Sequence, residues 1–124
     1  HQRGVARMSD RTVHEVQQGE THRLRIASPL GSVFTATCVA ALHRLPGGIN
    51  SSTPDPEEAA TYTVTEFSGD SDYGDGFDFE LAAADTADLA PGTYIAGPLI
   101  SYSAPETFVD APLAWIVQIK AYPS

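Results

Sequence analysis

The 124-residue chain is poor in the residues on which most small-protein chemistry depends: it has a single cysteine, a single methionine, a single tryptophan and only seven Lys or Arg against sixteen Asp or Glu. Cys38 alone cannot form an internal disulfide, which excludes a disulfide-stapled secreted module, and it cannot complete a zinc site of the usual kind. The formal net charge of −9 excludes the phosphate-neutralising role of a nucleic-acid binder and repels an anionic membrane surface. No apolar run approaches the roughly 20 residues that span a bilayer. A basic start followed by an apolar stretch and a small-residue cleavage site, the pattern of a signal peptide, is also missing. What is present is a 42% hydrophobic composition, enough for one domain with a real core and against global disorder.

The few cations are unevenly placed. Arg3, Arg7 and Arg11 lie in the first eleven positions, whereas Asp55 to Asp88 holds eleven carboxylates and no Lys or Arg. The division predicts an N-terminal arm over residues 1–11 and a folded domain over residues 12–124, the arm reaching an acidic neighbouring surface or simply solvated. Met8-Ser9 offers a second start, which would make residues 1–7 an upstream extension.

Strand patterns and turns fill the rest. In Phe77 to Leu81, three apolar residues alternate with Asp78 and Glu80, putting them on one sheet face. Asp85 is placed to cap a short helical turn near 85–89, with Leu89 pointing back under the sheet. Pro91-Gly92 ends that turn, and Thr93-Tyr94-Ile95 restarts a strand that Gly97-Pro98 interrupts. Thr12 to Val16 reads as an edge strand. Thr21 to Ala27 turns Leu24 and Ile26 inward and Arg23 and Arg25 outward. Val33 to Leu45 reads as a central strand buried on both faces, with a helix as the alternative for Val39 to Leu45. Ala60 to Phe67 turns Tyr62 and Val64 inward, and Leu113 to Tyr122 is the last strand. Segments 46–58 and 103–112 are long loops. The sum is an all-β fold, a single antiparallel β-sandwich of immunoglobulin-like, Greek-key type with about seven strands and one short helical turn, lacking the Cys–Trp–Cys signature.

The order Gly19-Glu20, then Thr21-His22-Arg23-Leu24-Arg25-Ile26, a long apolar strand, a variable loop and FDFELAAADTADLAPGTYIA resembles the small immunoglobulin-like virion proteins of tailed bacteriophages, including the N-terminal domain of baseplate upper proteins. The outline covers residues 17–121, and residues 77–95 carry the closest match. The element reading Leu81 to Tyr94 is one residue longer before its Thr than in that group, and Asp110-Ala111-Pro112 stands where a Gly is usual. The resemblance implies a non-enzymatic structural protein of the virion, without cofactor, whose partners are other virion proteins, the major capsid protein or tail proteins, and further copies of itself. A baseplate upper protein normally continues into a further region; a chain ending at Ser124 therefore favours capsid decoration (cement) over a tail, neck or baseplate component. A small module binding a glycan or host surface through loops 46–58 and 103–112 is the competing reading.

Other constellations bear on chemistry. Asp70-Ser71-Asp72-Tyr73-Gly74-Asp75 has the carboxylate density of a calcium loop but fails the EF-hand pattern at its fifth, sixth and twelfth positions, leaving only a looser site from Asp70, Asp72 and Asp75. His14 and His22 could face each other across paired strands, though surface histidines explain them as well. Cys38, in the most apolar strand, reads as an inert thiol. No nucleophile elbow, phosphate loop or cleft-bound carboxylate pair is seen. Tyr94 and Trp115 read as core, and Tyr73 and Tyr102 as the ligand-facing tyrosines. The residues expected to contact partners are Arg3, Arg7, Arg11, Ile49, Tyr102 and Phe108.

Overall fold

A computed structural model of the chain describes residues 12–28, 36–51, 53–103, 108–111 and 114–122. The proposed arm with Arg3, Arg7 and Arg11 lies outside the described residues. Nine strands and one short helix follow in the order β1 (Thr12–Gln17), β2 (His22–Ala27), β3 (Ala36–Arg44), β4 (Glu58–Thr61), β5 (Thr63–Asp70), β6 (Gly74–Leu81), α1 (Ala83–Ala87), β7 (Gly92–Tyr102), β8 (Phe108–Asp110) and β9 (Trp115–Lys120). They form a β-sandwich. One sheet runs β1-β9-β7-β3-β4, with β8 also on β7; the other runs β2-β6-β5. In this order β2, β6 and β5 take the places of immunoglobulin strands B, E and D, and β4, β3, β7 and β9 those of C′, C, F and G.

The core lies between the sheets because alternation sends one side chain in two inward from each strand. Leu42, Phe77, Phe79, Leu81, Ile100 and Val117 have no solvent exposure. Trp115 sits among aromatic rings, edge-on to Tyr62 at 5.7 Å and to Phe79 at 5.4 Å, and its indole N–H donates to the Tyr62 hydroxyl at 3.1 Å. That bond satisfies the one polar atom the indole brings into the interior.

Several sequence expectations need correction. The all-β sandwich is as expected, but among the described residues the strands number nine where about seven were expected, and one pairing, β1 with β9, is parallel. Val39 to Arg44 belongs to strand β3 rather than helix, with Leu45 just beyond its end, but β3 is not buried on both faces, since Val39 is 57% exposed. The helical turn starts earlier than predicted, at Ala83, with Ala82 rather than Asp85 as its N-cap and no side-chain cap bond. Starting there places Thr86 inside, where its hydroxyl can reach the β1–β2 turn.

Gly97-Pro98 does not interrupt β7, which runs unbroken from Gly92 to Tyr102. On one flank β7 pairs with β9 over 92–96 and with β8 over 100–102, so residues 97–99 oppose neither. Proline is tolerated where a strand's flank is unpaired. The segment 103–112, read as loop, contains β8. The loop after β3 is a series of tight turns, with the Gly48 N–H on Leu45 O, the Ser51 N–H on Gly48 O and the Asp55 N–H on Arg44 O.

Candidate functional site

The corner between β6 and β7, the most patterned stretch of the sequence, is a structural joint. The Tyr94 hydroxyl donates back to the Ala90 carbonyl at 2.6 Å, the tyrosine corner of immunoglobulin-like sandwiches. Arg44 braces it, with one guanidinium nitrogen on the Tyr94 hydroxyl at 3.3 Å and another toward Pro91 O at 3.4 Å. Gly92, at φ +150°, leaves the space this guanidinium occupies: a Cβ there would stand 2.7 Å from Arg44 Nη2. Thr86, fully buried, donates to Glu20 O at 2.7 Å and accepts from the Gly19 N–H at 3.1 Å. The polar groups of Tyr94, Arg44 and Thr86 in this corner hold the chain together.

The Asp70–Asp75 turn is occupied in the same way. Asp70 Oδ2 accepts the backbone N–H groups of Asp72 and Tyr73 at 3.0 and 2.9 Å, its Oδ1 accepts from Arg25 at 3.0 Å, and Asp75 Oδ1 accepts the Gly69 N–H at 3.1 Å. The bonds from Tyr73 and Asp72 hold the Asp70 carboxyl below its ordinary value. Among the described residues no group of three or more His, Cys, Asp or Glu side chains is disposed to hold a metal ion.

His14 and His22 do meet, with ring centroids 5.3 Å apart, but from β1 and β2 of opposite sheets rather than from paired strands. His22 is 4% exposed, and its Nε2 has no hydrogen-bond partner. Burial, reinforced by His14, pushes its pKa down to about 4. Cys38 faces the core half-buried, and burial, with a smaller effect from Glu66, pushes its thiol up to about 11, the setting of an unreactive cysteine.

The two outer faces of the sandwich differ sharply. The β2-β6-β5 face is polar and internally paired. Arg25 grips Asp78 with two bonds of 2.6 and 2.8 Å and lies 3.9 Å over the Phe67 ring, while Arg23 meets Glu80 at 3.1 Å. The pairing with Arg25 holds the Asp78 carboxyl below its usual range.

The outer face of the larger sheet is apolar. The register aligns Leu99 with Val39 across β7 and β3 and Val109 with Ser101 across β8 and β7, while Ile116, between Val13 on β1 and Ile95 on β7, has no solvent exposure. Val13, Val39, Leu99 and Val109 are 41%, 57%, 50% and 62% exposed. Val39 and Leu99 line an open depression of about 490 Å³ together with small residues including Ala41, Gly97, Ala111 and Ala114, with His43 and Glu58 at its β4 side. The His43 ring is fixed through Nδ1 to the Asp55 carbonyl at 2.9 Å. Isolated exposed apolar residues are ordinary, but a contiguous apolar patch marks a contact surface. Nothing in this depression resembles a reacting set of acid, base and nucleophile.

The predicted contact residues distribute differently. Ile49 is exposed in the turn after β3 but does not line the depression. Tyr102, expected to face a ligand, is 3% exposed and belongs to the core, because its position on β7 has the inward parity of Ile100 and Tyr94. Phe108 opens β8, paired with Tyr102; its side chain lies outside the described residues. Tyr73 is the exposed tyrosine of the Asp-rich turn, packed edge-on to Phe67. The sequence reading missed Val13, Val39, Leu99 and Val109. The signal was available: in a two-layer sandwich only one face of a strand meets the core, so a strand apolar on both faces exposes one of them.

No known protein family matches the chain, and no characterised protein matches it in sequence. Among the described residues, no helix is long and apolar enough to cross a membrane.

Proposed function

We propose that this protein is a non-enzymatic structural subunit of a bacteriophage particle, a capsid decoration (cement) protein that stabilises the particle through contacts with the major capsid protein and with further copies of itself. The observation that carries the contact role is the asymmetry of the sandwich: one outer face is closed by its own ion pairs, the other presents Val39, Leu99 and Val109 to solvent. Burying such side chains against a neighbour is worth about 1.5–3 kcal/mol each when complete, and obligate interfaces of this kind extend beyond roughly 2,000 Å². The phage assignment is supported by the likeness of residues 77–95 to immunoglobulin-like virion proteins. The polar groups of that segment serve the tyrosine corner and the Thr86 tie, an architectural use consistent with it. Its location in this reading is the virion, after assembly in the host cytoplasm.

Co-sedimentation with capsids, empty shells and tails of the parent particle tests the reading. Saturable binding to shells is expected. Binding to tails alone would move the protein to the neck or baseplate, and binding to neither would remove the virion role and leave a glycan or host-surface module as the reading to pursue.

A further inference from the structure

The outer face of the larger sheet is apolar at its centre and acidic along one border. Val39 and Leu99 flank a floor of Ala41, Gly97 and Ala114, and Glu58 stands at the β4 side. Asp55 and Glu57, both exposed, lie in the chain just before it. An occupant that fits must bring its own medium-sized apolar side chains to the shallow floor and cations to the acidic border.

Residues 1–11, HQRGVARMSDR, have that composition: Val5, Ala6 and Met8 lie among Arg3, Arg7 and Arg11. The three arginines and Asp10 give the segment +2 of a total of −9, so the remaining chain carries −11. Its point of attachment is also right. Thr12 pairs with Trp115 and Val13 with Ile116, so the segment joins the sheet next to Ala114, on the border of the depression. From β1 to β4 is four inter-strand spacings, about 19 Å, and eleven residues can extend as far as about 36 Å.

We propose that residues 1–11 are the segment that covers this face in the isolated protein, with Val5 and Met8 against Val39 and Leu99 and Arg3 and Arg7 toward the Glu58 border. The proposal rests on the reading above only in treating the face as a protein-contact surface; it describes the isolated protein, and on a particle a capsid partner takes the segment's place at Val39 and Leu99. Attachment at Thr12 gives the segment a high effective concentration, and its charge component weakens with salt.

Met8 is the chain's single methionine, so its methyl signal is unambiguous. In full-length protein with labelled methyl groups, the Met8 methyl is expected to show NOEs to the methyls of Val39 or Leu99. These cross-peaks should be lost in Val39→Asp, and weakened in an R3E/R7E variant whose melting is otherwise unchanged. An isotope-filtered measurement on mixed labelled and unlabelled protein reports whether the segment comes from the same or a neighbouring copy; either result places it on the face. A Met8 methyl with no NOE to this face overturns the proposal, as do filtered NOEs joining the outer faces of two copies with none from Met8. Because the readout is on isolated protein, its failure and a failure to bind particles are separate results.

Discussion

One hydroxyl joins the helical turn to the turn between β1 and β2: Thr86 Oγ1 serves both Glu20 O and the Gly19 N–H in a fully buried position. Thr86→Val keeps the shape but removes the partner of a part-buried donor and acceptor, and should cost about 0.5–1.5 kcal/mol in urea unfolding; an unchanged midpoint would show that water satisfies both groups. His22 sets the acid response. Its folded pKa, about 4, lies below the ordinary value of 6.5, so the unfolded chain takes up the proton first. Stability is therefore unaffected above about pH 6.5, declines as pH falls toward about 4, and has lost about 3 kcal/mol there. His14, also lowered by burial, contributes in the same direction, and the lowered carboxyls of Asp70 and Asp78 add a further loss as pH falls through their range. Urea melts across this window should show the decline in the parent protein and a flatter profile in His22→Phe.

At the scale of elements, β6 pairs with both β2 and β5 and holds the smaller sheet together. Gly76, where β6 meets Ala27 and Phe67 in register, allows that closeness: a Cβ there would collide with the Ile26 carbonyl oxygen and stand 2.7 Å from Phe67 Cζ and 3.0 Å from Ala27 Cα. Two of these three neighbours are backbone and cannot swing away. Gly76→Ala should therefore cost about 3 kcal/mol, measurable as a lowered melting temperature, and a neutral result would mean the β2–β6 spacing relaxes.

The elements were legible in the sequence where alternation was clean. Phe77, Phe79 and Leu81 on β6, and Leu24 and Ile26 on β2, point inward as their period of two requires. The pattern was less legible where a tertiary partner decides. Pro98 reads as a break until β8 and β9 are seen to leave its flank unpaired, and Ala83 begins the helix because Thr86 must reach Glu20. Tyr102 looked ligand-facing because it borders a loop, although its parity with Tyr94 and Ile100 already placed it inside.

For the whole molecule, the fold class followed from strand and turn signals, but strand order did not. The parallel partnership of β1 with β9 joins the two ends of the chain, and no local pattern encodes which edge β1 will choose. The contact face was hidden for a related reason. Val39, Leu99 and Val109 come from three strands far apart in the chain and become neighbours only through the pairing of β7 with β3 and with β8. The polar face was easier to foresee, since Arg23 and Arg25 alternate against Asp78 and Glu80. Those exposed pairs are worth little in stability; their consequence is that this face is already satisfied and the opposite one is not.

The central claim is that the protein works through the apolar face of its larger sheet. The most direct test is co-sedimentation of the Val39→Asp/Leu99→Asp variant with particle shells, beside the parent protein and a Thr63→Asp/Thr65→Asp variant altered on the opposite face, all three checked for unchanged melting. The account predicts that parent and Thr variant bind alike while the Val39/Leu99 variant loses binding at least about tenfold, the loss expected of removing 1.4 kcal/mol or more at an interface. Equal binding by all three, or loss only in the Thr variant, would contradict it.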